Sequence, residues 1–239
     1  MKKNYILSIL SLFIFSIGYS QISSFPHTTT FESAGDISTT ASDVNSKWVT
    51  RTDGDWAESE LLWTRFSGST PSTGTGPTAA QAGSYYVYVE TSGSSNGDDA
   101  ELSCNYDFTG KTEASISFNY HNWGEGVTTP GTGSAQMALY VYNVTDDAWS
   151  SALWYNDPGL NSGSNTWYSQ TVDLSAYAGK SVQIWFTLNS RGWASDGALD
   201  NIEVTATANG VTDYYVDDSG SNSNNGLTSG TPFATLAKA

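Results

Sequence analysis

Apolar side chains recur at every second position in five stretches of the chain: Tyr85-Val87-Val89, Ile116-Phe118-Tyr120, Met137-Leu139-Val141, Val172-Leu174 and Val182-Ile184-Phe186-Leu188. An extended backbone sends successive side chains to opposite faces, so each run predicts a half-buried strand. There is little sign of amphipathic helical spacing. Between the runs lie stretches such as Gly68 to Pro77, Ser92 to Gly97 and Thr128 to Ser134, too poor in apolar residues to enter a core. They read as loops joining antiparallel strands. Half-buried strands must bury their apolar face against a second layer, which predicts an all-β fold, an antiparallel jelly-roll-like sandwich.

The alternation fails at both ends. Lys2 and Lys3 precede the apolar run Tyr5 to Tyr19 and the short polar stretch at Ser20 and Gln21. That order is the one export machinery reads, so residues 1–20 are expected to be a cleaved signal peptide and the chain to be secreted or held at the cell surface. No later stretch approaches the roughly 20 apolar residues of a membrane helix, so no transmembrane span is expected. The sandwich is expected over residues 25–206, followed by a small-residue linker at 207–212. Residues 213–239 then open a second segment: Asp217 to Gly230 is almost all Asp, Ser, Asn and Gly, and Thr231 to Ala239 reads as the start of an element cut off by the end of the chain. It is expected to be the short C-terminal fragment of a truncated second domain.

Composition narrows the chemistry. Hydrophobic residues make up 38% and aromatics 13%, enough to fill a two-sheet core and to exclude a disordered chain. The single cysteine, Cys104, rules out an internal disulfide and reads as a small buried side chain. Nine Lys and Arg stand against 24 Asp and Glu, a formal charge of −15 that becomes −17 when Lys2 and Lys3 leave with the leader. Nucleic acid and anionic lipid are excluded as partners for such a surface. Only His27 and His121 could serve as the histidine of a nucleophilic triad, the scattered acids read as a solvated acidic surface, and the glycine-rich stretches carry no phosphate-loop lysine. No catalytic residue is assigned, and the residues present are expected to bind without catalysing.

Calcium is the one cofactor with a case, because it gathers about six to eight oxygens from carboxylates and carbonyls at loop ends. The candidate ligands are Glu32, Asp98, Asp99 and Asp200. Asp200 alternates in phase with Ala198, Ile202 and Val204, so it is predicted to point to the apolar side, where a lone carboxylate is costly unless paired, hydrogen-bonded or metal-bound. A structural calcium and backbone capping without metal both account for Glu32 and Asp200. A second candidate surface comes from aromatics out of phase with the core: Tyr86 and Tyr88, Tyr140 and Tyr142, and Trp185. They form either a platform for sugar or protein or a face covered by long loops. The candidate ligand contacts are Trp185, Tyr140 and Tyr142, and an open ring at Trp185 predicts that Trp185→Ala spares the fold.

The stretches Phe31-Glu32, Leu62-Trp63-Thr64-Arg65, Gly68 to Pro77, Gly83 to Glu90, Ser117 to His121 and Gly197 to Ile202, taken in order from about residue 31 to 204, resemble a MAM domain. The resemblance implies a jelly-roll-like sandwich of the kind found on adhesion receptors, receptor phosphatases and membrane-bound proteases, where it serves adhesion. It also implies a structural role for His121. The family's paired cysteines have no counterpart beside Cys104, so its disulfide framework does not carry over. The tail, with Tyr214-Tyr215-Val216, Ser219-Gly220-Ser221, Asn224-Asn225-Gly226 and Thr231 to Leu236, is similar to the opening of secreted right-handed parallel β-helix proteins, which include polysaccharide lyases and adhesins. The expected function is a non-catalytic recognition or adhesion module for extracellular protein or polysaccharide. The alternative is a carbohydrate-binding module that targets a C-terminal β-helix lyase or hydrolase.

Overall fold

The computed structural model describes residues 21–51, 61–124, 136–156, 165–191, 196–208, 215–224 and 230–235. The expected signal peptide and most of the linker lie outside the described residues. The alternating runs form strands, named here in chain order: β1 (His27–Thr29), β2 (Ile37–Ser38), β3 (Trp48–Arg51), β4 (Trp63–Ser67), β5 (Tyr85–Val89), β6 (Asn96–Asp107), β7 (Lys111–Asn122), β8 (Gln136–Asn143), β9 (Ala148–Trp149), β10 (Trp154–Tyr155), β11 (Tyr168–Asp173), β12 (Ser181–Arg191) and β13 (Gly197–Ala208). One sheet, the back sheet, runs β11-β7-β13-β5-β4 with β1 beside β13. The other, the front sheet, runs β10-β8-β12-β6-β3-β2 with β9 beside β8. Every pairing between these strands is antiparallel except β2 with β3. The chain is thus the all-β sandwich that its alternation predicts, and no helix of the described residues is long and apolar enough to cross a membrane.

The inward phase of each central strand supplies the core. Ile116, Phe118 and Tyr120 of β7, Leu139 and Val141 of β8, and Ile184, Phe186 and Leu188 of β12 are buried in one cluster. Phe118 bridges the sheets: its ring lies edge-on to Phe186 at 4.8 Å and to Trp154 at 4.9 Å. Such pairs contribute about 0.5–1.5 kcal/mol each beyond the area they bury. Cys104 is free and buried in the same layer, and burial pushes its thiol pKa up to about 12, which leaves it a packing residue.

One strand departs from simple alternation. Leu199 of β13 lies opposite Tyr120 and Val204 opposite Ile116, so two residues of opposite parity share the inner face. A bulge between Asp200 and Glu203, with Asn201 at a φ of 47°, absorbs the extra residue. Asp200 therefore shares the outer face with Ala198, while Ile202 and Val204 turn inward. This corrects the phase expected for Asp200: the carboxylate is fully buried, yet under a loop on the outer face and not in the apolar core. In the tail, Val216 and Phe233 form a parallel bridge, and the Phe233 N–H donates to the Tyr215 carbonyl at 2.8 Å.

Where β13 begins, the two sheets approach closely. A Cβ on Gly197 would lie 2.3 Å from Leu188 Cδ1 and 3.0 Å from Met137 Sδ, so only glycine fits without repacking. Gly197→Ala is expected to destabilise the fold by about 1–3 kcal/mol, the usual cost of overpacking. Urea unfolding measures it, and an unchanged midpoint would mean that the sheets have room to spare there.

Candidate binding groove

β12 is flanked by β8 and β6, and the register lines up outward residues in rows across the front sheet. Trp185 lies between Tyr140 and Ser103, Thr187 between Ala138 and Glu101, and Asn189 between Gln136 and Asp99. Asp99, Glu101, Tyr140, Trp149, Trp185, Thr187 and Asn189 line a groove of about 180 Å³. Its aromatic bank is built by β9, which pairs Trp149 with Tyr142. The Trp149 ring stands 5.1 Å from Tyr142 and 5.5 Å, edge-on, from Trp185. Trp149 is 41% exposed and Trp185 only 5%, so Trp149 is the open wall and Trp185 the floor. Trp185 Nε1 donates to Gln183 Oε1 at 2.7 Å, and the Tyr142 hydroxyl donates to the Asp147 carboxylate. These bonds hold both rings in place.

The opposite bank comes from β6. Glu101 is buried and Asp99 half-buried. Burial raises the Asp99 pKa, and the charge of Asp98 adds to the shift. Asp98 itself closes a turn, accepting the Ser95 N–H at 2.7 Å.

The other two candidate ligands sit on the back sheet. Glu32 Oε1 accepts the N–H groups of Ser84 at 2.8 Å and Tyr85 at 2.9 Å. Asp200 Oδ2 accepts those of Gln81 at 3.0 Å and Ala82 at 3.2 Å, while its Oδ1 takes the Asn201 N–H at 2.7 Å. The two carboxylates thus grip one loop, residues 81–85. Gly83 is required at its centre, because a Cβ there would come within 2.4 Å of Glu32 Oε1 and φ is 68°. Arg65 braces the approach, donating to the carbonyls of Phe31 at 2.6 Å and Glu32 at 2.7 Å, with its guanidinium 3.3 Å from the centre of the Tyr85 ring. Backbone hydrogen bonds lower the Glu32 pKa, whereas burial lifts that of Asp200 to about 6, with the charge of Glu32 pushing the same way. The four candidate ligands therefore fall into two separate places, and no group of three or more His, Cys, Asp or Glu disposed to hold a metal occurs among the described residues.

A further carboxylate, on the back-sheet side, carries no mark in the sequence pattern. Asp196, fully buried, accepts the Thr91 N–H at 2.9 Å and the Thr91 hydroxyl at 3.0 Å on Oδ1, and its own N–H donates to Thr75 Oγ1 at 2.9 Å. Its Oδ2 is buried without a hydrogen-bond partner. Burial pushes the Asp196 pKa up to about 6, and Glu90 adds to the shift. Nearby, Tyr86 and Tyr88 are buried with Phe66 and Trp167 against them, so for these two rings the covered face is the one found. His121, also buried, has Nε2 2.9 Å from Asn165 Oδ1, and burial pulls its pKa down to about 4, which keeps the ring neutral.

Fold and site together define a disulfide-free β-sandwich module with loops pinned over one face and an aromatic groove on the other. The chain belongs to the MAM family: the model for "MAM domain, meprin/A5/mu" matches residues 42–208. Among solved structures, the chain is similar to the K1 cleaved adhesin domain of Lys-gingipain from Porphyromonas gingivalis W83, at 20% identity over 78% of this chain and 100% of that one, with a TM-score of 0.46. It is also similar to the CBM22-1 xylan-binding domain of Paenibacillus barcinonensis Xyn10C, at 12% identity over 77% and 94% with a TM-score of 0.42. A third is a Stig cyclase from Fischerella sp. TAU, at 16% identity over 80% and 94% with a TM-score of 0.42. Likeness at this level assigns no ligand and no reaction.

The buried Asp196 carboxyl makes a pH prediction. Its folded pKa lies above the unfolded value of 3.8, so the native state holds the proton more tightly and its contribution to stability is lost as pH rises through about 6. Thermal melts should show a more stable protein near pH 5 than at about pH 7.5. Asp196→Asn should remove a share of that difference of about 1–1.5 kcal/mol; a variant with the parent's full pH dependence would place the titration elsewhere.

Proposed function

We propose that the chain is a secreted, non-catalytic recognition module and that the front-sheet groove binds carbohydrate. The observation that carries this reading is the open Trp149 ring standing beside Trp185 and Tyr140, opposite the carboxylates of Asp99 and Glu101. A flat apolar ring packs against the C–H face of a sugar, and carboxylate, amide and hydroxyl groups at the rim take its hydroxyls. Membership of the MAM family supports contact outside the cell over catalysis. The tail, by its resemblance to the opening of a β-helix, supports placing the module ahead of a polysaccharide-cleaving or adhesive domain.

The groove is tested at Trp149. Trp149→Ala should weaken binding of a glycan-array hit by about tenfold or more while leaving the melting temperature nearly unchanged. Trp185→Ala cannot serve that purpose: at 5% exposure its loss is expected to cost about 3–5 kcal/mol of stability, contrary to the open ring expected from the sequence. Unaltered glycan binding by Trp149→Ala would remove the groove from the account.

A structural calcium remains a proposal for Glu32 and Asp200 alone, since Asp98 and Asp99 lie on the other sheet. Two like charges gripping one loop favour a cation there, which would relieve their repulsion and stiffen residues 81–85. Calcium in the millimolar range should then raise the melting temperature over that in chelator, and Asp200→Asn should abolish the increment. Superimposable melting curves would leave the pair as backbone clamps without metal.

A further inference from the structure

We infer that the groove takes an extended stretch of a linear polysaccharide, in contact with Trp149 at one end and Tyr155 at the other. The inference rests on the carbohydrate reading and adds Tyr155, which lies outside the groove lining, as a second stacking residue. β10 pairs Tyr155 with Ala138 on the edge of the front sheet. Its neighbour Trp154 enters the core, so Tyr155 points outward, and it is 54% exposed. Trp149 pairs with Tyr142 on the same outer face.

The two pairing positions, Ala138 and Tyr142, lie four residues apart on β8, about 13 Å along the strand. A single sugar ring in contact with Trp149 does not reach Tyr155, whereas a chain of several units does. Between the two positions Tyr140 lines the groove, and beside Tyr155 the small side chain of Ala138 keeps the floor low. Among the described residues, the large exposed apolar side chains are Val144, Trp149, Tyr155, Tyr215 and Val216. The only rings among them that sit on the sandwich are therefore Trp149 and Tyr155, both held by β8. An edge strand with an open aromatic ring is otherwise a liability, and a bound chain would cover it.

Isothermal titration of the full chain with disaccharides and hexasaccharides of the xylo, manno, gluco and galacto series tests this. The parent should bind one hexasaccharide at least about tenfold tighter than the matching disaccharide, since a second stacking contact is made only by the longer ligand. Tyr155→Ala should bring that ratio close to one without changing disaccharide affinity, Tyr155→Phe should preserve it, and Trp149→Ala should weaken both ligands. Length-independent binding by the parent, or an unchanged ratio in Tyr155→Ala, would overturn the inference while leaving the groove in place. Binding that Trp149→Ala does not touch, or no binding by any of these sugars, would overturn the groove reading and the inference with it. Melting curves of the variants separate loss of contact from loss of fold.

Discussion

Phe118 of the back sheet meets Phe186 of the front sheet edge to face at 4.8 Å, and Trp154 and Trp48 continue that contact to either side. The lone cysteine is free, so no disulfide joins the two sheets, and this apolar layer must supply their cohesion. The inward phase of each central strand is committed to it. Whatever else the module does must come from the outward phases and from the loops that cross them.

The two outward faces have different fates. On the back sheet, Tyr86, Tyr88 and Ala198 are buried with Phe66 and Trp167 packed against them, and carboxylates tie down the loops: the buried Asp200 and the exposed Glu32 hold residues 81–85, and the buried Asp196 holds Thr91 and Thr75. These hydrogen bonds satisfy backbone N–H groups that a loop lying over a sheet would otherwise leave unpaired. On the front sheet, the rings around β8 stay open to solvent along one edge. The groups with intrinsic chemical reactivity fit this division: Cys104 sits in the core and His121 under the back-sheet cover, both held neutral by burial. The acidic composition and the MAM family membership fit the proposed reading, in which the module holds a ligand without transforming it.

The strands are legible in the sequence because burial on one face imposes period two, and the runs at Tyr85, Ile116, Met137, Val172 and Val182 lie in strands of the sandwich, apart from Leu174, one residue past the end of β11. The site was legible only in part. Tyr140 and Trp185 prove to be direct cross-strand neighbours, yet Tyr86 and Tyr88 show the same out-of-phase pattern and are covered. Which face a loop covers is a tertiary fact that alternation does not encode. Trp149 and Tyr155 stand in strands of two residues, too short for any period to mark them. Alternation gives Asp200 the wrong phase because a bulge shifts parity at Asn201, and a β-bulge leaves little trace in a pattern of apolar positions. Asp196 precedes its strand by one residue, where an acid reads as ordinary loop polarity.

Recognition is proposed to belong to the outer face of the front sheet. The most direct measurement is an NMR titration of the indole N–H signals with a bound oligosaccharide, since tryptophans mark every region: Trp149 and Trp185 the groove, Trp48 and Trp63 the core, Trp167 the covered back face. The account predicts that the Trp149 and Trp185 signals move with saturable, matching affinity while those of Trp48, Trp63 and Trp167 stay in place. Movement centred on Trp167 with Trp149 unmoved would contradict it.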